Sequence, residues 1–201
     1  MRLFFDTEFT DLKQDCELIS IGVVADNGIP GSPKPCFYAE SMDFSEDKCS
    51  DFVKKNVLPH LALARTGKPQ TVDVQDAESV AMYGTEEDIA MQLDKWIKHF
   101  LEPTEMIEIW SDCLAYDWVL FCNLFDHIGG LPSYIYYIPF DLSTYLKLKN
   151  IDPDISREEF ASKFHSREIA ELIGSSFGKH NSLFDAMVIY YCHNTLTNYI
   201  N

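Results

Sequence analysis

The chain has 201 residues, 46% of them hydrophobic and 13% aromatic, which is enough to bury a full core and too much for wholesale disorder. Its formal net charge of -16 excludes a non-specific basic coat for nucleic acid, although bound cations can locally invert the sign of a small site. No apolar run approaches the roughly 20 residues of a membrane helix, and Asp6 and Glu8 interrupt any leader-like segment, so the expectation is one cytoplasmic domain spanning residues 1–201.

Residues 2–9, Arg-Leu-Phe-Phe-Asp-Thr-Glu-Phe, read as a buried strand ending in two carboxylates. Side chains at i and i+2 of a strand share a face, so Asp6 and Glu8 project together. Like charges held that close repel, burial sharpens the conflict, and oxygen-only donors suit magnesium or manganese. Residues 18–25 form a second strand, followed by a turn at Asp26-Asn27-Gly28, and residues 35–39 a third, giving an antiparallel meander. A short helix is expected over 51–61. Residues 63–84 show no clear period and read as a long loop that carries Arg65 and Lys68.

Thr85 is the expected cap of a helix running to about residue 100, with acids in its first turn and Ile89, Leu93, Trp96 and Ile97 on its inner face. Residues 105–110 form a fourth strand, 115–125 a helix, and 134–138 a fifth strand after the turn at Gly129-Gly130-Leu131-Pro132. Helices follow over 142–149 and 157–173, the latter broken near His165-Ser166. A last helix over 181–197 has Phe184, Met187, Val188, Tyr191, Cys192 and Thr195 in a stripe. A meander followed by alternating helices and strands predicts an α/β fold with helices packed on a mixed sheet. The six cysteines form no CxxC pair, which removes support for zinc-ribbon and thioredoxin-type readings.

Two later segments bear on the acidic pair. Asp117 sits between Tyr116 and Trp118 where the fourth strand enters a helix; it reads either as a helix cap or as a carboxylate needing a cation. His180 stands at the mouth of the last helix, whose N-terminus disfavours a further positive charge and so favours a neutral imidazole. Asp185 follows among Leu183, Phe184, Ala186 and Met187.

Taken in order, Asp6-x-Glu8, Asp117 within Ala115-Tyr116-Asp117-Trp118, and His180-x-x-x-x-Asp185 resemble the three motifs of the DEDD 3'-5' exonuclease superfamily. The histidine spacing is that of its DEDDh branch, and the first two segments look most like the ribonuclease AS-like exoribonucleases. One departure is Cys113, with Asp112 before it, where many relatives carry asparagine. The resemblance implies a ribonuclease H-like fold with a five-stranded mixed sheet flanked by helices.

It further implies that Asp6, Glu8, Asp117 and Asp185 hold two Mg2+ or Mn2+ ions and that His180 is the general base. Nucleoside 5'-monophosphates would then leave the 3' end of single-stranded RNA. Thr7, Phe9, Thr10, Trp118, Arg157 and Arg167 are the expected substrate contacts, Phe9 and Trp118 having core packing as their alternative. Arg157, Lys163, His165 and Arg167 form the densest basic stretch and suggest a phosphate rim. Relatives in the branch are often dimers, so a homodimer sharing the groove is expected. Rival expectations are a 3'-5' exodeoxyribonuclease with the same chemistry and a catalytically silent nucleic-acid-binding module.

Overall fold

In the computed structural model, alternate residues of β1 (Arg2–Phe9) enter two different cores. Leu3 and Phe5 join one and Phe4 the other, as the pleat dictates. The structure describes residues 1–26, 34–64, 70–74, 79–100, 105–173 and 178–198, with backbone alone at 70–74 and 100. The expected turn at Asn27-Gly28 and the cations Arg65 and Lys68 lie outside the described residues.

β1 pairs antiparallel with β2 (Leu18–Asp26), and β2 with β3 (Cys36–Ser41). The two remaining pairs of this region are not the expected loop. β4 (Gln70–Val74) lies antiparallel to β5 (Ser79–Gly84), and β5 runs parallel to β3. On the other side β1 pairs parallel with β6 (Glu108–Ser111), and β6 with β7 (Phe140–Asp141). Among the described residues the result is a seven-stranded mixed sheet, ordered β4-β5-β3-β2-β1-β6-β7, rather than a five-stranded one. With helices on its faces, this is the expected α/β, ribonuclease H-like arrangement.

The expected strand over 134–138 reduces to one bridge between Ile107 and Ile135. Pro139 explains the interruption: it has no N–H to donate, and pairing resumes only at Phe140. The β4–β5 pair escapes a periodicity search because Ser79-Val80-Ala81-Met82-Tyr83-Gly84 does not alternate clearly. Its partner β3 is 43 residues back in sequence, as the Phe37–Val80 pairing fixes.

Among the described residues six α-helices accompany the sheet: α1 (Asp51–Asn56), α2 (Glu86–Phe100), α3 (Asp117–Asn123), α4 (Leu142–Leu148), α5 (Arg157–Ile173) and α6 (Ser182–Asn198). One core packs Leu3, Phe5, Ile21, Val23 and Phe37 against Ile89, Leu93 and Ile97 of α2 and Phe121 of α3. Thr85 caps α2 as expected, its hydroxyl accepting the Asp88 amide at 3.2 Å. The opposite core packs Phe4 and Val24 against α6, with α4 and α5 outside it. The break expected in α5 is a kink at His165, with φ -128° and ψ 42°.

The single apolar stripe expected on α6 is too narrow. Phe184, Ala186, Val188, Ile189, Tyr190, Cys192, His193 and Leu196 are all buried, because α6 lies between the sheet and α5. A helix covered on two sides is apolar nearly all round. Among the described residues no helix is long and apolar enough to cross a membrane.

Candidate active site

Asp6 and Glu8 face α6, and the geometry of that approach is set by what stands opposite them on β2. Asp6 is paired with Gly22 and Glu8 with Ser20. A Cβ on Gly22 would collide with the backbone of Ser182 and Leu183, so the first turn of α6 rests directly on the strand there. Two residues along β2, the Ser20 hydroxyl lies 3.0 Å from that of Ser182. The register of β1 against β2 shifts between Glu8 and Phe9, an irregularity of the kind that re-aims side chains beside sites.

This seating carries Asp185 and His180 to the carboxylate face. The His180 amide donates to Asp185 Oδ2 at 3.1 Å, and Phe52 stands edge-on to the imidazole with ring centroids 5.3 Å apart. Glu8, His180 and Asp185 each offer a ligand atom within 4.8 Å of the others. Asp117 arrives from α3. Its Oδ1 accepts from both the Thr7 amide, at 3.0 Å, and the Thr7 hydroxyl, at 2.6 Å. Its carboxylate is therefore bound across to β1, beside Asp6.

Burial raises every one of these acids, and repulsion from the neighbouring site acids adds to it at Asp6 and Glu8. Burial first, then the charges of Asp117, Asp185, Glu8 and Asp112, holds Asp6 well above the usual carboxylate range. Burial, with Asp185 and Asp117, pushes Glu8 up to about 8. Asp185 rises to about 7 through burial, opposed by the His180 amide. Asp117 rises only to about 6, because the two Thr7 bonds favour its charged form. His180 moves the other way, lowered by burial and by neighbouring Lys179 and His60.

The donor set fits hard divalent cations: carboxylate oxygens converge, with one imidazole beside them.

The remaining expected contacts divide. Thr7 is buried and committed to Asp117. Half-buried Phe9 stacks on Tyr116 at 5.3 Å and packs on the core. Thr10 is buried, its groups bonded to Glu17 and Ser50. Trp118 stacks on Phe121 at 5.6 Å, as the core alternative expects. Arg167 is 84% exposed and paired with Glu171 on α5. Lys163 lies over the Phe160 ring, so the basic stretch does not converge into one rim.

Arg157 does line the cavity of about 600 Å³ that contains Asp6 and Asp185, but its guanidinium faces inward. Nε and one Nη donate to the Asp112 carboxylate at 2.6 and 3.1 Å; that same Nη reaches Ser143 Oγ at 2.9 Å. The other Nη bonds the carbonyls of Pro153 and Ile155. Arg157 thus clamps the start of α5 to the turn after β6. That turn also holds Cys113 in a left-handed conformation, φ 54°, with its amide donating to Asp141 at 3.1 Å.

Gly22 and the Arg157–Asp112 clamp are the site features that sequence reasoning missed. A lone glycine within an otherwise apolar strand is the signal that would have found the first. No local pattern marks the second.

The chain was compared with known proteins. It is 30% identical over 132 residues to the 3'-5' exoribonuclease Rv2179c of Mycobacterium tuberculosis (strain ATCC 25618 / H37Rv). It matches the 3'-5' exoribonuclease MT2234.1 of Mycobacterium tuberculosis (strain CDC 1551 / Oshkosh) to the same extent. The matched stretch covers 66% of this chain and 66% of each relative. Residues 1–196 match the 3'-5' exoribonuclease Rv2179c-like domain, and the chain belongs to that family.

Proposed function

We propose that the chain is a 3'-5' exoribonuclease of the DEDDh, ribonuclease AS-like type that removes nucleoside 5'-monophosphates from single-stranded RNA. The observation that carries this reading is the convergence of Glu8, His180 and Asp185, from β1 and the start of α6, within 4.8 Å. Asp117 stands close enough to Asp6 for its charge to raise the Asp6 carboxyl group. The family's own description and the two relatives' names support RNA over DNA.

Asp6, Glu8, Asp117 and Asp185 would hold magnesium or manganese, which when bound would activate the attacking water and neutralise charge at the departing oxygen. Thr7 keeps Asp117 ionised and oriented through two hydrogen bonds. His180, kept neutral by burial and by nearby positive charge, takes the proton of the water that attacks the last phosphodiester. The Phe9–Tyr116 stack supplies a ring surface beside the acids, where a terminal base would stack. A net charge of -16 leaves one subunit short of basic surface, which supports a homodimer sharing the groove.

The test is a time course with RNA labelled at either end, matched DNA, and manganese present or chelated. Stepwise shortening from the 3' end, with mononucleotide release and no turnover in chelator, is expected. Preference for DNA would move the assignment to an exodeoxyribonuclease, and binding without hydrolysis would move it to a silent module.

A further inference from the structure

A buried carboxylate with no part in that chemistry is linked, through two side chains, to the residue after His180. Glu40 of β3 is fully buried, yet no cationic side chain meets it in any described ion pair. It is satisfied by four neighbours instead. The amides of Ala62, Leu63 and Ala64 donate to it at 2.5–3.1 Å, and the Tyr38 hydroxyl donates at 2.7 Å. A carboxylate held by successive backbone N–H groups is a strong, directional anchor.

From Tyr38 the chain of bonds runs on to the site. The Asn181 side-chain amide donates to Tyr38 Oη at 3.1 Å and to the His60 carbonyl at 3.4 Å. The same side chain's oxygen accepts the amides of Leu183 and Phe184, capping α6. Asn181 and Tyr38 are each 2% exposed. The direction of every bond is fixed, because Glu40 at the end can only accept. Such a series polarises along its length, so loss of one member weakens the rest.

His180 is the residue immediately before Asn181, and it lies in the left-handed region at φ 67°. That conformation is unfavourable for a residue with a Cβ and persists only where neighbours over-determine it. On one side its amide is held by Asp185, which is itself part of the acidic cluster. On the other side the restraint is Asn181, whose amide closes a turn on the Gly178 carbonyl at 3.1 Å and whose side chain is tied to β3.

We infer that Glu40, Tyr38 and Asn181 form a positioning relay that fixes the backbone of His180 and thereby aims its imidazole at the reacting water. The relay rests on the reading of His180 as the general base. None of its three members touches substrate; they act through His180 alone. It also joins residues 60–64 to the N-terminus of α6.

The experiment uses the full chain and 5'-labelled single-stranded RNA with manganese. It compares Tyr38→Phe, which removes one hydroxyl, and Asn181→Ser, which keeps a capping oxygen but is one bond too short to reach Tyr38. Each is expected to lower kcat about tenfold with KM within about twofold, since a misaimed base affects the transition state and not binding. Manganese-induced thermal stabilisation stays unchanged, because the carboxylates are intact.

The deciding measurement is Tyr38→Phe in a His180→Ala background, with the residual rate read over hours. If Tyr38 acts through His180, the double variant is no slower than His180→Ala. An equal fall in both backgrounds would mean general loosening of the site and would overturn the relay. So would undiminished kcat in Tyr38→Phe and Asn181→Ser while His180→Ala is impaired. Undiminished hydrolysis by His180→Ala would instead overturn the functional reading, and the relay with it.

Discussion

At the scale of single residues the site is held together against its own electrostatics. Four carboxylates are raised, all of them first by burial and Asp6 and Glu8 also by the neighbouring site acids, which means that the folded, cation-free protein binds protons more tightly than the unfolded chain. The stability this supplies is fully present below the ordinary carboxylate range and is lost as pH rises through the folded values of about 6, 7 and 8. In chelator, the melting temperature is therefore expected to fall between about pH 5 and pH 8. Added manganese should reverse the fall, and Asp6→Asn should flatten it while abolishing hydrolysis. A cation-free melting temperature that rises over this range would contradict the picture. His180→Ala should lower kcat by about 10²–10⁴-fold at neutral pH with the manganese-induced stabilisation retained, as removal of a general base does.

At the scale of elements, two contacts decide whether the acids meet. The first is α6 resting on Gly22. Gly22→Ala forces helix and strand apart, at a cost of about 1–3 kcal/mol for overpacking. It is expected to abolish manganese-induced stabilisation although every ligand is present. The second is the clamp of α5 onto the turn after β6. Arg157→Met leaves Asp112 beside Asp6 without its bidentate partner; melting should show a loss of about 1–3 kcal/mol, which Arg157→Lys restores only in part. The sequence placed Arg157 near the site by its neighbours in a basic run, yet its donors all point into protein. Which way a guanidinium faces depends on Asp112, Ser143 and two carbonyls that no spacing rule connects to it.

At the scale of the whole molecule, charge governs how substrate is held. Only Arg157 and Lys179 among the cavity's described lining are cationic; Arg157 is committed to Asp112, and Lys179, 64% exposed and ion-paired with Glu158 at 3.4 Å, can meet phosphate only by exchanging that partner. Counterion release then involves about one phosphate, so the logarithm of RNA affinity should fall with the logarithm of monovalent salt at a slope near -0.7. The measurement is KM against potassium chloride at fixed manganese. A slope several times steeper would locate a basic surface outside this cavity, such as one supplied by a second subunit, and light scattering across concentration would then show whether that subunit is present.

Alternation in residues 2–9 was sufficient to divide β1 between two cores and to set Asp6 and Glu8 on one face, because the pleat is a property of the backbone and needs no partner. Caps such as Thr85 and breaks such as Pro139 are equally local. Local pattern did not supply the β4–β5 pair, the burial of α6 on two sides, the choice between cap and ligand for Asp117, or the partners of Arg157 and Glu40. Each of these depends on which distant segment lies opposite. The shifted ionisation of the acids depends on it too, since desolvation and repulsion exist only once β1, α3 and α6 have been brought together.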